Sequence, residues 1–204
     1  MNRRLAPDLR RQQIIAAART VIVERGLAAT SLRDIAAAAQ VSVGTVTYHF
    51  VGVDEILSAV VITESESFYA KVVQAADSEP DPRRAMLILI DSLFGDSDKT
   101  SEHWKIWADY WAATSRRPEI ADAYADRIRH WQNCLERVIA RGVSDSTFRS
   151  VDPNATALKM AAYSDGLGIQ MSQQVTGLDH RTAHRWLVDF AELLLGPVSR
   201  PAPG

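Results

Sequence analysis

The sequence predicts an all-α fold of about nine helices, an N-terminal three-helix head followed by a larger helical C-terminal domain. Three observations carry that expectation. Apolar residues recur three and four apart over most of the chain, the stripe of a helix that packs on one face. No segment shows the sustained apolar–polar alternation of a half-buried strand. Glycine, proline and side-chain capping residues stand where the periodic segments break.

In the first helix Ile14, Ile15, Ala18, Val21 and Ile22 share one face, and Gly26 is placed to end it in a left-handed conformation. Ser31 caps the second, with Asp34 completing a capping-box pattern and Leu32, Ile35, Ala36 and Ala39 as the buried stripe. Ser42 caps the third, in which Val46 and Phe50 face inward. After Gly52, Asp54 and Glu55 put negative charge where a helix dipole favours it, opening a fourth helix to about Ala76. Residues 78–82 open a fifth that ends near Gly95, and 95–101 read as a polar loop. Residues 116–118 separate the next two helices, 142–153 form another loop, and Gly177 precedes a last helix ending at Gly196 and Pro197. The expected domains are 8–68, with a helix-turn-helix motif at 31–50, and 69–197, leaving a disordered tail at 198–204.

A hydrophobic share of 47% and a charged share of 24% are those of an ordinary globular protein. No apolar run approaches the roughly 20 residues that span a bilayer, and no signal peptide follows the N-terminal arginines, so a cytoplasmic protein without membrane partner is expected. Cys134 is the single cysteine; it excludes an internal disulfide and fits a small buried hydrophobe better than a redox role. The net charge of −2 hides an uneven distribution. Residues 1–50 hold seven arginines against three carboxylates, a net +4, while the remainder holds 16 basic and 22 acidic groups, a net −6. A basic head on an acidic body suits nucleic acid at one end, although a merely uneven surface fits the same numbers.

The third helix sharpens the choice. Val43, Gly44, Thr47 and Tyr48 share a face through their i, i+4 relation, Val46 and Phe50 occupy another, and Thr45 and His49 lie at the margin. Gly44 permits close approach, and Val43 and the threonine methyls suit thymine methyl groups. Thr45, Thr47, Tyr48 and His49 can reach base edges or phosphate oxygens, and the free amides near Ser42 favour phosphate. Packing of Tyr48 and His49 against the fourth helix is the competing reading.

The segment Gly26-Leu-Ala-Ala-Thr-Ser-Leu-Arg-Asp-Ile-Ala36, followed by Val41-Ser-Val-Gly-Thr-Val-Thr-Tyr-His-Phe50, resembles the N-terminal domain of the TetR family of transcriptional regulators. The resemblance covers about residues 8–68; beyond it the chain is similar only in length and helical pattern. It implies a homodimer whose third helices enter the major groove of the two halves of a palindromic operator, with a small-molecule effector in the C-terminal domain releasing the DNA. The contacts it implies are Thr30, Ser31, Arg33, Ser42, Val43, Gly44, Thr45, Thr47, Tyr48 and His49. Three positions depart from the family pattern. Gln40 stands where the turn usually has glycine, Thr47 replaces the usual tyrosine, and Val53 replaces a lysine that commonly grips phosphate. Arg3, Arg4, Arg10 or Arg11 can make up the missing cation.

Four of the five tryptophans fall between 104 and 131. Trp104, Trp107 and Trp111 lie on one helical face with Tyr110 beside them, and Tyr124 and Trp131 lie on the next helix. Such a stripe fits ordinary core, or a pocket for an apolar, aromatic or cationic ligand held by stacking or cation–π contact. Phe68, Met86, Ile90, Phe94, Tyr163 and Met171 are candidate neighbouring walls, and Asp165 is a candidate counter-charge in an otherwise apolar stretch. Small residues Ala161, Ala162, Gly166 and Gly168 permit close helix approach, and Trp186, Leu187, Phe190, Leu193 and Leu194 form a broad apolar stripe. The expected pairing surface is Ala162, Gly166, Trp186, Leu187, Phe190 and Leu194, a four-helix interface between two copies; an intrachain core is compatible with the same pattern. His180 and His184 have a metal-capable spacing but no third ligand, and no phosphate loop, cysteine pair or nucleophile motif is present. No catalytic residue, metal or cofactor is expected. The alternatives to a DNA-binding regulator are a helical interaction adaptor and a ligand-binding protein without DNA affinity.

Overall fold

The computed structural model describes residues 6–95, 98–114 and 118–197, and their regular structure is helical. Arg3, Arg4, the tail 198–204 and the side chains of Phe68 and Tyr124 lie outside the described residues. The helices are α1 (Pro7–Arg25), α2 (Leu32–Ala38), α3 (Val43–His49), α4 (Val53–Ser78), α5 (Pro82–Phe94), α6 (Asp98–Thr114), α7 (Pro118–Ser144), α8 (Pro153–Ser172) and α9 (His180–Leu195), with a 3₁₀ turn at Leu27–Ala29. Two compact units result. The first holds residues to Glu64 together with Lys105–Ala123, and the second holds Ser65–Trp104 together with Tyr124 onward. The sequence predicts a single domain after residue 68; the second half of α6 groups instead with the head, because packing and not chain order defines a unit.

In the head, Pro7 opens α1, where its missing N–H costs nothing, and Ile14, Ala18 and Ile22 are fully buried. Gly26, at φ 77° and ψ 156°, lets the chain leave α1 through a positive-φ position, though an extended one and not the left-handed helical well. Ser31 caps α2 through a complete capping box with Asp34, and Ser42 caps α3 by accepting from the Thr45 amide. Each of these helices has 7 residues, too short to persist alone, so burial must hold them. Ile35 and Ala36 supply it from α2, Val46 and Phe50 from α3, each large side chain worth about 1.5–3 kcal/mol. Gln40 is left-handed at φ 55°, a strain of about 1 kcal/mol for a residue with a Cβ.

In the second unit, Asp81, Asp152 and Asp179 cap α5, α8 and α9 through their side chains. Helix α9 packs on both α5 and α8. Met86, Leu89, Ile90 and Leu93 face inward from α5, Met160, Ser164 and Leu167 from α8, and Ala183, Leu187, Ala191 and Leu195 from α9. Arg141 donates to the carbonyls of Ala76, Asp77 and Glu79 and so satisfies the C-terminal end of α4. Two boundaries differ from expectation. Helix α6 starts at Asp98, inside the stretch read as a loop, with an acid in its first turn to suit the dipole. Helix α7 runs to Ser144, which carries Gly142 as an interior residue because the Phe148 ring lies where its side chain would be. No single described helix is long and apolar enough to cross a membrane.

Candidate nucleic-acid interface and ligand region

Helix α3 presents two faces of opposite character. Val46 and Phe50 are 0% and 2% exposed, whereas Tyr48 is 80% and Val43 39% exposed. Ser42, Gly44 and Thr47 are exposed with them, and Thr45 and His49 are half-buried at the edge. The competing reading, in which Tyr48 packs away, fails on that exposure. The Tyr48 ring meets the His49 ring edge-on at 5.0 Å, which limits the freedom of both. The Arg11 guanidinium lies over the Phe50 ring at 4.7 Å, bringing a cation to the base of α3.

The hydroxyl groups near this face are largely engaged. Ser42 Oγ accepts from the Thr45 amide and lies 2.9 Å from Thr45 Oγ1, and Thr47 Oγ1 donates to the Gly44 carbonyl at 3.2 Å. With its proton on Gly44, Thr47 Oγ1 is left with oxygen lone pairs to offer a donor. Thr30 Oγ1 donates to the Gly26 carbonyl, and both the amide and the hydroxyl of Ser31 donate to Asp34. Those bonds, with Arg25 beside it, hold the Asp34 carboxyl below its usual range. The start of α2 thus carries its own anion, and Ser31 has little left to offer phosphate. Arg33 is exposed on α2. Beyond α3, Glu55 accepts the Val51 amide at 2.7 Å and fixes the exit turn.

Helix α6 also contributes to the head. Asp109 accepts the Leu27 amide at 2.9 Å at the corner between α1 and α2, and burial pushes its carboxyl up from the usual range. Trp107, Tyr110 and Trp111 belong to this same unit, Trp107 meeting Tyr110 at 6.0 Å and Trp111 at 5.8 Å. The aromatic run expected as one wall is divided: these three group with the head and Trp104 with the body.

In the body, an aromatic cluster forms around Tyr69 and His103, neither of which the sequence pattern marks as a site residue. The Tyr69 ring lies 5.0 Å from Trp131 and 5.7 Å from His103, with its hydroxyl 3.2 Å from His103 Nε2. His103 meets Trp104, whose indole stacks on Phe94 at 5.5 Å and donates Nε1–H to the Leu93 carbonyl at 2.8 Å. The indole also occupies the space a Cβ at Gly168 would need. Trp104 is clamped as core on both faces. Trp131 differs, because it borders a cavity with Leu89, Ile90, Leu93, Leu135, Met160, Ser164 and Leu187. As it stands that cavity has room for about one water. Met86 and Met171 are buried in the same unit, and the Tyr163 ring of α8 packs on Phe190 of α9 at 4.4 Å. Asp165 follows cavity-lining Ser164 and stands about one turn before Gly168; burial pushes its carboxyl up to about 7, and no described group bonds to it.

On α9, Leu187, expected on the pairing surface, is 1% exposed and lines the cavity. The outward apolar positions are Trp186 at 43% and Leu193 at 68%, with Phe190 and Leu194 half-buried. On α8, Leu158 and Ala162 are exposed, and the space around Gly166 is open. His180 and His184 take separate partners, Ser101 at 2.8 Å and Asp91 at 2.6 Å, and among the described residues no metal-type cluster forms. Burial pushes the Cys134 thiol up to about 11, which makes it unreactive.

Comparison with known proteins matches two separate stretches of the chain. Residues 14–60 match the family described as bacterial regulatory proteins, tetR family, and residues 82–196 match the BetI-type transcriptional repressor C-terminal family. The HTH-type transcriptional regulator BetI of Stenotrophomonas maltophilia is 32% identical over 116 residues, 55% of this chain and 58% of that protein. BetI 1 of Chromohalobacter salexigens is 25% identical over 207 residues, 96% of this chain and 95% of that protein. Among solved structures, a transcriptional regulator from Saccharomonospora viridis in complex with choline has a TM-score of 0.84 at 25% identity, covering 92% of this chain and 98% of that one. A TetR-family regulator from Rhodococcus sp. has a TM-score of 0.81 at 22% identity, covering 94% and 100%, and shows the shared fold. With an exposed face on α3 and a helical body matched over most of its length, the chain belongs to the TetR family of bacterial transcriptional regulators, with a C-terminal region of the BetI type.

Proposed function

We propose that the chain acts in the cytoplasm as a homodimeric repressor that a compact organic cation releases from a palindromic operator. The observation that carries the ligand class is the Asp165 carboxyl, to which no described group bonds, in the unit that holds Tyr69 and Trp131. A carboxylate without a partner is costly in such surroundings, and an aromatic face attracts a cation by its quadrupole. The choline held by the Saccharomonospora viridis relative supports the same class. Because the cavity beside Trp131 has room for about one water, a ligand must spread the helices around it. Helices α4, α6 and α7 each contribute residues to both units and are continuous paths for such a displacement.

The outward stripe of Leu158 and Ala162 on α8 with Trp186, Phe190 and Leu193 on α9 supports pairing of two copies. Two heads related by a two-fold axis match the two halves of a palindrome. Tryptophan fluorescence during titration with choline and with its uncharged tert-butyl analogue tests the ligand class. Choline is expected to change the emission at concentrations where the analogue has no effect. Equal responses, or none to choline, would reject the cation.

A further inference from the structure

The turn between α2 and α3 sets the angle at which the reading face is presented, and Gln40 within it holds φ 55°, a conformation that favours glycine. One side chain of α1 reaches this turn, and a second holds the first in place. Gln13 Nε2 donates to the Ala39 carbonyl at 2.7 Å across 26 residues of sequence, and Arg10 Nη1 donates to Gln13 Oε1 at 2.8 Å. The second bond orients the first: with Oε1 held by a cation, the amide NH2 must face the turn. Ala39 follows the last residue of α2, so its carbonyl is one of those a helix end leaves without an internal donor.

We propose that Gln13 is a positioning residue for DNA recognition, its carboxamide holding the Ala39 carbonyl so that the left-handed Gln40 turn keeps α3 at its reading angle. The inference rests on the DNA-binding reading of α3. Hydrogen bonds to base edges weaken steeply when displaced by a few tenths of an ångström, so a small relaxation of this turn is felt at Tyr48 and Thr47. The fold rests on other contacts as well, since Val46 and Phe50 anchor α3 through burial.

The test uses the full chain and a duplex selected by the wild-type protein from a random-sequence pool, with a scrambled duplex for comparison. Gln13→Leu removes both bonds, and Gln13→Glu keeps the Arg10 link while removing the donor to Ala39. Each variant is expected to lose about tenfold in the ratio of selected to scrambled affinity, about threefold for each half-site. The ratio separates positioning from charge, because an added carboxylate weakens both duplexes alike. Adding Gln40→Gly to Gln13→Leu is expected to restore most of the ratio. In the free protein, the Val41 and Thr45 amides of both Gln13 variants are expected to exchange about tenfold faster. An unchanged ratio, unchanged exchange, or a loss that Gln40→Gly does not repair would overturn the proposal. Failure of the wild type to select any sequence would instead overturn the DNA-binding reading beneath it.

Discussion

Tyr48 and Phe50 stand two residues apart, one 80% and the other 2% exposed, and that contrast divides α3 into an exposed side, the proposed reading side, and an anchoring side. Tyr48→Ala is expected to weaken binding to a selected duplex at least about tenfold, with the circular dichroism spectrum and thermal midpoint unchanged. Unchanged affinity would mean that α3 is turned differently on DNA. Asp165 makes a second residue-scale prediction. Its folded value of about 7 lies above the ordinary 3.8, so between those values the folded protein keeps a proton that the unfolded chain has released. Stability therefore falls as pH rises through that window and stays lower above it. Asp165→Asn is expected to match the wild type near pH 4 and to exceed it at pH 8 by about 1–2 kcal/mol, since water still reaches the carboxyl. Chemical denaturation at the two pH values checks this. Gln40 was legible as a departure from the glycine usual at that turn in the family it resembles, whereas the bond from Gln13 was not, because nothing local connects positions 26 apart.

Helix boundaries were legible where a chemical device marks them, as at the Ser31 and Asp34 capping box and the Ser42 cap; the acids that cap α5, α8 and α9 were not singled out, because proline and glycine alone marked those breaks. They were less legible where packing overrides composition, as at Gly142 under the Phe148 ring. The aromatic stripe of α6 was visible, but its division between units was not, because periodicity gives a face and not what covers it. The broad stripe of α9 had the same ambiguity: Leu187 turned inward and Leu193 outward. Trp104, stacked on Phe94 and pressed against Gly168, leads to an element-scale prediction. Gly168→Ala drives a methyl into the indole and is expected to destabilise the protein by about 1–3 kcal/mol, read as a lower thermal midpoint. An unchanged midpoint would mean that α6 and α8 can separate freely there.

At the scale of the molecule, a regulator of this family couples a DNA-reading head to a ligand-responsive body, and α4, α6 and α7 contribute to both units. Pairing through α8 and α9 predicts that Trp186→Lys together with Leu193→Lys yields a monomer in sedimentation and loses most operator affinity; a stable dimer would place the interface elsewhere. The most direct test of the whole account is fluorescence anisotropy of a selected duplex bound by the protein, titrated with choline at constant ionic strength. Choline is expected to release the duplex while its uncharged tert-butyl analogue leaves it bound, and release is expected to be weaker at pH 6 than at pH 8, where Asp165 is ionised. A duplex that stays bound in choline, or that both compounds release equally, would contradict the account.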